Sequence, residues 1–290
     1  SSLKEIPYEA FDGCTSLVSI GDLNNVESIA NEAFSNCSAL EHVDKLDKIT
    51  SIGQNAFKGC TALKSIGSLH NLETIGQGAF SGCSALEHVD DLYSLTRLEY
   101  DVFSHCVSLI SVDCSDKLTA IGSSAFFGCK ALVSIGDLSN VTSIESSVFR
   151  GCIALKSIGN MPKLESIGMQ CFMGCTALET VGDLSSLKEI PSETFDGCTS
   201  LVSIGDLSNV TIIGSYGFNQ CKKLTSIPNL GSLERVDQFA FSGCESLALL
   251  GNLRKLTSFG NSPFVNSPFH NCPNLVLEVL PDSAAEQYAK

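Results

Sequence analysis

The sequence lacks tryptophan and has only five tyrosines. These are the side chains that most often stack on sugars or anchor protein interfaces, so their scarcity weakens the case for a glycan-binding site. Cations are scarce too, because 18 lysine and arginine residues stand against 32 acidic residues, for a formal net charge of -14. Nucleic acids and anionic membrane surfaces are bound through clustered cations, and the chain has no basic run. We therefore predict neither as a partner.

Long apolar runs are also absent. None approaches the roughly 20 residues that a membrane helix needs, so we predict no insertion into a bilayer. The first residues, SSLKEIPYEAF, carry neither a starting methionine nor a charged-then-apolar leader. We expect the chain to be a fragment, and no targeting signal in it reveals the compartment of the protein. Glycine-rich phosphate loops and C-x-x-C pairs are missing as well, and we predict no cofactor and no bound metal.

What the sequence has is a strict repeat. Phenylalanine recurs every 23 residues, and a cysteine follows each of these phenylalanines by three residues. The series is Phe11, Phe34, Phe57, Phe80, Phe103, Phe126, Phe149, Phe172, Phe195, Phe218 and Phe241. A twelfth pair, Phe269 and Cys272, arrives five residues late, after the insertion in NSPFVNSPFHNC. A period of about 20 to 29 residues with fixed apolar offsets is typical of a leucine-rich solenoid, in which each coil contacts only its neighbours.

Within each repeat, apolar residues fall at every third position, as in Phe57, Cys60 and Leu63. This spacing fits neither a surface helix nor a half-buried strand, and it indicates short straight segments separated by bends. We predict two short strands per coil, as at 63–67 and 72–76, each pairing in parallel with the next coil at about 4.8 Å. Glycines just before the cysteine and just after the second isoleucine are expected to supply positive φ at the bends. A helical or 3₁₀ turn is expected across segments such as AFSGCSAL.

The repeated cysteines are predicted to form one inward-facing column, in which each acts as a small apolar filler beneath the phenylalanine. Stacked side chains would keep their Cβ atoms about 4.8 Å apart, beyond the usual disulfide range of about 3.5–4.5 Å. We therefore favour buried free thiols over disulfides, and both over metal binding. The column comprises Cys14, Cys37, Cys60, Cys83, Cys106, Cys129, Cys152, Cys175, Cys198, Cys221, Cys244 and Cys272, and Cys114 and Cys171 lie off it.

The pattern I-G-x-x-A-F-x-x-C-x-x-L-x-x-I in 23-residue register resembles the BspA-like class of leucine-rich repeats, also called the Treponema pallidum type. The resemblance covers essentially the whole chain. It implies a right-handed, curved leucine-rich-repeat β-solenoid of about twelve coils with parallel sheets and no catalytic residues to carry over. It also implies an extracellular or cell-surface location and adhesion to host proteins or other cells. We place one repeat array at 1–275, irregular at 260–272, and a C-terminal capping segment at 276–290.

Positions seven and eight after each phenylalanine are expected to lie inside the first strand of the coil and to point outward. Ile110 and Val133 are adjacent apolar residues of this series, bordered by Glu87, His88 and Lys156. A solvent-facing apolar pair in a sheet can mark a contact surface, although two tolerated surface aliphatics are the alternative. The candidate partner-binding residues are His42, Lys64, Glu87, His88, Ile110, Val133 and Lys156.

Carboxylates recur at positions ten and eleven, as Asp22, Asp44, Asp90, Asp91, Asp113, Asp137, Asp183 and Asp206. Calcium needs about six to eight oxygens converging on one point, whereas a ladder sends them out in parallel, so we favour solvated turn residues. His88, Asp90 and Ser111 match a catalytic triad by residue type alone, and we predict no enzyme and no catalytic residues.

The leading hypothesis for function is a non-catalytic, surface-displayed module that binds protein over an area distributed across several coils. A structural spacer or an intracellular scaffold without its own ligand is the alternative, because many free thiols suit a reducing interior equally well. A glycan-binding module ranks third. We expect a monomer or a weak oligomer, and the identity of the partner stays open.

Overall fold

The computed structural model describes residues 3–259 and 267–277. The chain divides into two compact units, residues 1–141 and 142–290. In each unit, equivalent residues of successive repeats pair in parallel, 23 positions apart. The predicted parallel β-solenoid of about twelve coils is confirmed. The inserted residues 260–266 and most of the capping segment, from residue 278 onward, lie outside the described residues.

Each full coil contributes two short strands, and most of them are two residues long. The strands that follow the Phe-x-x-Cys segment are β3 (His42–Val43), β5 (Ser65–Ile66), β7 (His88–Leu92), β9 (Ser111–Cys114), β11 (Ser134–Ile135), β13 (Ser157–Ile158), β15 (Thr180–Val181), β17 (Ser203–Ile204), β19 (Ser226–Ile227), β21 (Leu249–Leu250) and β22 (Val276–Leu277). The second series is β1 (Glu5–Ile6), β2 (Ser28–Ile29), β4 (Ser51–Ile52), β6 (Thr74–Ile75), β8 (Arg97–Leu98), β10 (Ala120–Ile121), β12 (Ser143–Ile144), β14 (Ser166–Ile167), β16 (Glu189–Ile190), β18 (Ile212–Ile213) and β20 (Arg235–Val236).

The two series form separate parallel sheets. In the first unit, the first-strand series pairs as β3–β5 and β7–β9–β11, and the second as β1–β2–β4–β6 and β8–β10. In the second unit the pairs are β13–β15–β17 and β19–β21–β22, and β12–β14 and β16–β18–β20. In most strands the first residue is exposed or half-buried and the second, an isoleucine, valine or leucine, is buried, as a period of two requires.

The centre of every coil is filled by the phenylalanine column. From Phe11 to Phe126 in the first unit, neighbouring rings stack with centroids 5.1–5.6 Å apart and planes within 20° of parallel. In the second unit the stack from Phe149 to Phe241 has centroids 5.1–5.3 Å apart. Rings from Phe34 to Phe241 are fully buried, and each buried ring contributes about 1.5–3 kcal/mol from desolvation.

The Phe-x-x-Cys segment is not helical, and the prediction of a helical or 3₁₀ turn is wrong for the described residues. Residues two before and two after each phenylalanine have positive φ, for example Asn55 (φ 54°) and Gly59 (φ 72°). Left-handed residues at this spacing interrupt any right-handed helix. Single turns close instead, with the Cys60 N–H donating to the Phe57 carbonyl at 3.1 Å.

The positive-φ residues of the turn segment set the direction of the hydrogen bonds between coils. In the turn segment, N–H groups donate forward to the next coil, as from Phe57 to the Ala79 carbonyl at 2.7 Å. At the strands they donate backward, as from Gly53 to the Ile29 carbonyl at 2.8 Å. Within each unit, an internal coil is therefore bonded to the next coil through its turn segment and to the preceding coil through its strands.

The two sets of glycines have different roles. The prediction of positive φ is correct for glycines just before the cysteine, such as Gly59. It is wrong for glycines after the second isoleucine, none of which has a positive φ. At Gly53 an added Cβ would stand 2.5 Å from the Asn31 nitrogen and 2.6 Å from the Ala30 carbonyl carbon. Glycine there permits the close approach of two coils.

The variant Gly53→Ala should lower the free energy of unfolding by about 1–3 kcal/mol, because the new methyl group overlaps the backbone of the preceding coil. Gly21→Ala is the matched control, since a Cβ at Gly21 meets no atom within 4 Å, and its effect should stay within about 0.5 kcal/mol. Denaturant and thermal melts followed by circular dichroism measure both. Equal stability of Gly53→Ala and wild type would contradict the close-packing explanation.

Candidate functional site

The first-strand face is defined as positions seven to eleven after each column phenylalanine. In the first unit it comprises residues 18–22, 41–45, 64–68, 87–91, 110–114 and 133–137, and in the second 156–160, 179–183, 202–206, 225–229 and 248–252. Position eight begins the strand, and position nine is turned inward. Position seven precedes the strand, so its predicted place inside the strand is wrong, although most side chains at this position are exposed as predicted.

Two histidines of the face are held by serines of the following coil. His42 Nδ1 lies 2.9 Å from Ser65 Oγ, and His88 Nδ1 lies 2.9 Å from Ser111 Oγ. Parallel pairing places these residues directly opposite one another, with His42 against Ser65 and His88 against Ser111. The same geometry arises twice because the sequence Glu-His-Val-Asp is itself repeated two coils apart.

Lys64 is held by Glu41. Its Nζ donates to Glu41 Oε2 at 2.7 Å, and both side chains are largely exposed. The hydrogen bond and the charge of Lys64 lower the pKa of Glu41. An exposed pair of this kind contributes about 0–1 kcal/mol, and it withdraws the lysine charge from other contacts.

Ile110 and Val133 occupy position seven of adjacent coils in the first unit. The Val133 N–H donates to the Ile110 carbonyl at 2.9 Å. Val133 is 42% exposed and Ile110 is 39% exposed. The Ile110 N–H donates in turn to the Glu87 carbonyl at 2.8 Å. The structure thus brings Glu87, Ile110 and Val133 into one column. Lys156 is exposed at the same position of a coil in the second unit.

Sequence reasoning missed the longest strands of this face. β7 has five residues and β9 has four, and Asp90 and Asp113 lie in them at position ten, where most coils have glycine. The prediction of turn residues is wrong for Asp90, Asp91 and Asp113, since all three lie within strands. The register shifts between Val89 and Leu92, and Asp91 there has φ 66°. A missing glycine at position ten does not by itself reveal a longer strand, because Asp44 has the same place in a coil whose strand β3 has two residues.

Aspartates at position eleven close turns in the other coils. Asp22, Asp137, Asp183 and Asp206 each accept a hydrogen bond from the N–H two residues later, at 2.8–2.9 Å. This is the Asx-turn geometry, which occupies one carboxylate oxygen locally. In the described part of the chain, no group of three or more His, Cys, Asp or Glu residues could hold a metal ion.

The triad suggested by residue type does not assemble. His88 contacts Ser111, but no hydrogen bond joins Asp90 to His88 within the described residues. A catalytic serine needs an oriented base, and the same His–Ser contact recurs at His42 and Ser65.

Two cavities lie in the second unit. The first, of about 340 Å³, is lined by Ile204, Gly205, Asp206, Leu207, Ile227, Pro228 and Asn229. The second, of about 530 Å³, is lined by Glu165, Ser185, Ser186, Lys188 and Asn209. Neither lining includes a histidine or a cysteine.

The cysteine column lies beneath the phenylalanines and is fully buried from Cys37 to Cys244, with no disulfide among its members. Cys14 is exposed, contrary to the prediction of an inward column, because no earlier coil among the described residues covers it. Cys272 is half-buried, and the off-column Cys114 and Cys171 are buried.

The thiols are more than apolar fillers. Sγ of ten column cysteines donates to the carbonyl of the phenylalanine in the preceding coil, as from Cys83 to Phe57, and the distances are 3.0–3.2 Å. That carbonyl also accepts the N–H of the cysteine in its own coil. Burial raises the pKa of Cys37 to about 11 and of Cys60 and Cys175 to about 12, against the smaller opposing effect of a backbone hydrogen bond. Thiols held in this state are poor nucleophiles and poor metal ligands.

Comparison with known proteins agrees with this repeat geometry. The profile of the BspA type leucine-rich repeat region, built of six copies, matches residues 1–109, 96–184 and 165–274. The chain belongs to the BspA-type leucine-rich repeat family. No curated protein sequence matches it. No helix in the described ranges is long and apolar enough to cross a membrane.

Solved structures of bacterial leucine-rich repeat proteins share the fold of this BspA-type chain. A leucine-rich repeat protein from Bacteroides ovatus is 25% identical, with 96% of this chain and 88% of that chain covered and a TM-score of 0.63. A leucine rich cell surface protein from Faecalibacterium prausnitzii is 24% identical, with coverages of 91% and 86% and a TM-score of 0.53. The repeat family suggests a protein-interaction or surface module, and no enzymatic family is indicated.

Labelling with a thiol reagent should distinguish the cysteines of the BspA-type solenoid. In native buffer Cys14 should react at once and Cys272 more slowly, whereas the twelve buried cysteines should react only after denaturant is added. Mass spectrometry of the labelled peptides measures this. Rapid native labelling of Cys83 or Cys106, or failure of the denatured chain to label fully, would contradict a column of buried free thiols.

Alkaline pH should destabilise the solenoid steeply. An unperturbed thiol ionises near pH 9, whereas burial raises the pKa of Cys60 to about 12. The stabilisation from the protonated thiols is complete below pH 9 and is lost as the pH rises between these values, at about 1.4 kcal/mol per pH unit for each buried thiol. Melting temperatures from about pH 7.5 to about pH 10.5 measure the loss. The Cys83→Ala/Cys106→Ala variant should show a shallower decline, and an equal decline would exclude the thiols as its cause.

Proposed function

We propose that this BspA-type chain is a non-catalytic, surface-displayed module that binds protein through the first-strand face of its first unit. The observation that carries the proposal is the exposed pair Ile110 and Val133, on a face whose position-eight column is mostly hydroxyl-bearing. Adjacent exposed aliphatic side chains on a sheet are costly in water, and they are typical of contact surfaces.

The surroundings of the pair support this proposal. Glu87 and His88 border it on the preceding coil, and His88 is oriented by Ser111. An apolar centre with a polar, exposed rim is the usual arrangement of a protein interface. On the two coils that precede Glu87 and His88, Lys64 and His42 are also held by neighbours. Side chains over several coils are therefore presented without a large entropic cost.

A pre-formed face of this kind suits binding that is distributed over several coils. Each contact contributes modestly, and truncation of most single residues should weaken binding only a little. Ile110 and Val133 are expected to contribute most, because they are adjacent aliphatic side chains and can bury apolar area together in the contact. The adhesive role and the surface location are part of the proposal and rest on the family.

The proposal is tested with purified protein and cultured epithelial cells, by flow cytometry over a concentration series. Binding should saturate, should be lost after the cells are treated with protease, and should survive treatment with glycosidases. Ile110→Ser/Val133→Ser should weaken binding by about tenfold, because two aliphatic contacts are removed. Val202→Ser is the matched control, since Val202 is 43% exposed at the same position in the second unit.

Each other outcome overturns the proposal. No saturable binding indicates a spacer without its own ligand, and loss of binding with glycosidase indicates a glycan partner. Equal weakening by Val202→Ser and by the double variant would place the contact outside the Ile110–Val133 pair. Circular dichroism of every variant establishes that the fold is retained.

A further inference from the structure

The first-strand face of the first unit carries a negative charge that the rest of the unit does not neutralise. The face has eight carboxylates and only two lysines. Lys45 lies 3.7 Å from Asp22, and Lys64 lies 2.7 Å from Glu41, so both lysines are already paired. No ion pair with a described lysine or arginine is formed by Asp44, Glu87, Asp90, Asp91, Asp113 and Asp137.

The uncompensated carboxylates are concentrated where the strands are longest. Asp90 of β7 and Asp113 of β9 are both exposed and alternate with buried Val89 and Val112, which pair with each other. The two carboxylates therefore leave the same outer side of neighbouring strands. Like charges at adjacent positions of a sheet are destabilising, and folding alone gives no reason for this arrangement.

Tyr93 adds an exposed aromatic ring to the region of Asp90 and Asp113. Its ring is 46% exposed just beyond β7. Its pKa is raised, first by the charge of Asp91, then by burial and by the charges of Asp113 and Asp90. The phenol therefore lies within the field of three carboxylates. An exposed aromatic ring beside carboxylates is a favourable environment for an ammonium or guanidinium group.

The apolar pair lies just before two neighbouring strands, with Ile110 preceding β9 and Val133 preceding β11. Ile110 precedes β9 by one residue and Asp113 is its third residue, which corresponds to about 10 Å of extended chain at about 3.3 Å per residue. In an extended peptide every second side chain points to the same face, and these side chains are about 7 Å apart. A segment lying on this face can place an apolar side chain on Ile110 and Val133 and a cationic side chain near Asp90 and Asp113.

We propose that the partner of this face is a cationic polypeptide segment, with an apolar side chain on Ile110 and Val133 and lysine or arginine side chains against Asp90, Asp113 and Tyr93. This rests on the protein-binding function proposed above and specifies the chemistry of the partner. Charge complementarity decides the occupant, because unpaired carboxylates repel acidic proteins and nucleic acids and attract basic polypeptides. The diverging carboxylates of a ladder do not form a metal site, in accord with the absence of a metal-holding group in the described ranges.

The test uses fluorescent synthetic peptides as probes, with anisotropy measured at low and at near-physiological ionic strength. A short peptide in which lysine and leucine alternate at every second position, with serine between them, presents both side chains on one face of an extended strand. It should bind more tightly than the same peptide with glutamate in place of lysine or with serine in place of leucine. Its affinity should fall as salt increases. Asp90→Asn/Asp113→Asn should weaken the lysine–leucine peptide by about tenfold. The Ile110→Ser/Val133→Ser variant should weaken the lysine–leucine peptide and leave the lysine–serine peptide unchanged.

The matched control is Asp183→Asn/Asp206→Asn, which removes the same charge from the same face of the second unit. Asparagine can keep the Asx-turn bonds that these residues make to Ser185 and Ser208, and peptide affinity should change less than twofold. Melting temperature gives a second readout. Asp90→Asn/Asp113→Asn should melt at or above the wild-type temperature, because it relieves like-charge repulsion.

The inference would be overturned if Asp90→Asn/Asp113→Asn and Asp183→Asn/Asp206→Asn lost the same peptide affinity. It would also be overturned if the glutamate–leucine peptide bound as tightly as the lysine–leucine peptide. In the cell-binding assay, full capture by Asp90→Asn/Asp113→Asn together with lost capture by Ile110→Ser/Val133→Ser would refute the cationic partner and leave the protein-binding function standing. Binding of the peptide at this face without any capture of cells would support the cationic partner and refute the proposed binding to cell-surface protein.

Discussion

The hydrogen bonds that join each coil to both of its neighbours are the constraint on which the rest of the structure depends. They fix successive repeats in register, so that one phenylalanine stacks on the next and each cysteine thiol reaches the carbonyl of the phenylalanine before it. This carbonyl accepts two hydrogen bonds, from the thiol and from a backbone N–H. A buried polar atom with both lone pairs used costs little, and a purely apolar filler would leave it less well satisfied.

Because the inward positions are fixed in this way, differences between coils are confined to the outward positions. The replacement of glycine by Asp90 and Asp113 illustrates this freedom. It adds two charges within the two longest strands, while Val89 and Val112 beside them stay buried. A repeat protein can therefore place a binding surface over any few coils without altering its core. In this chain the apolar pair and the unpaired carboxylates of β7 and β9 occur on three neighbouring coils.

Much of the fold could be predicted from the spacing of Phe, Cys and Ile, because a strict period leaves few ways to bury those residues. The positive φ of Asn55 could not, since asparagine alone does not reveal that a turn is interrupted rather than helical. The role of Gly53 was missed for a similar reason, because close approach between coils is a tertiary effect. For the candidate face, Ile110 and Val133 were found from position alone. The strand at Asp90 was not, because turn and strand aspartates look alike in one repeat.

The opposite directions of the N–H groups in strand and turn segments have a consequence for the electric field of the solenoid. In an α-helix all peptide dipoles align and leave partial charges at the two ends. Here the dipoles of the turn segment oppose those of the strands within every internal coil, so they largely cancel along the axis of each unit. The potential around a unit is consequently set by its side chains, and the carboxylates act on approaching ions without help or hindrance from the backbone.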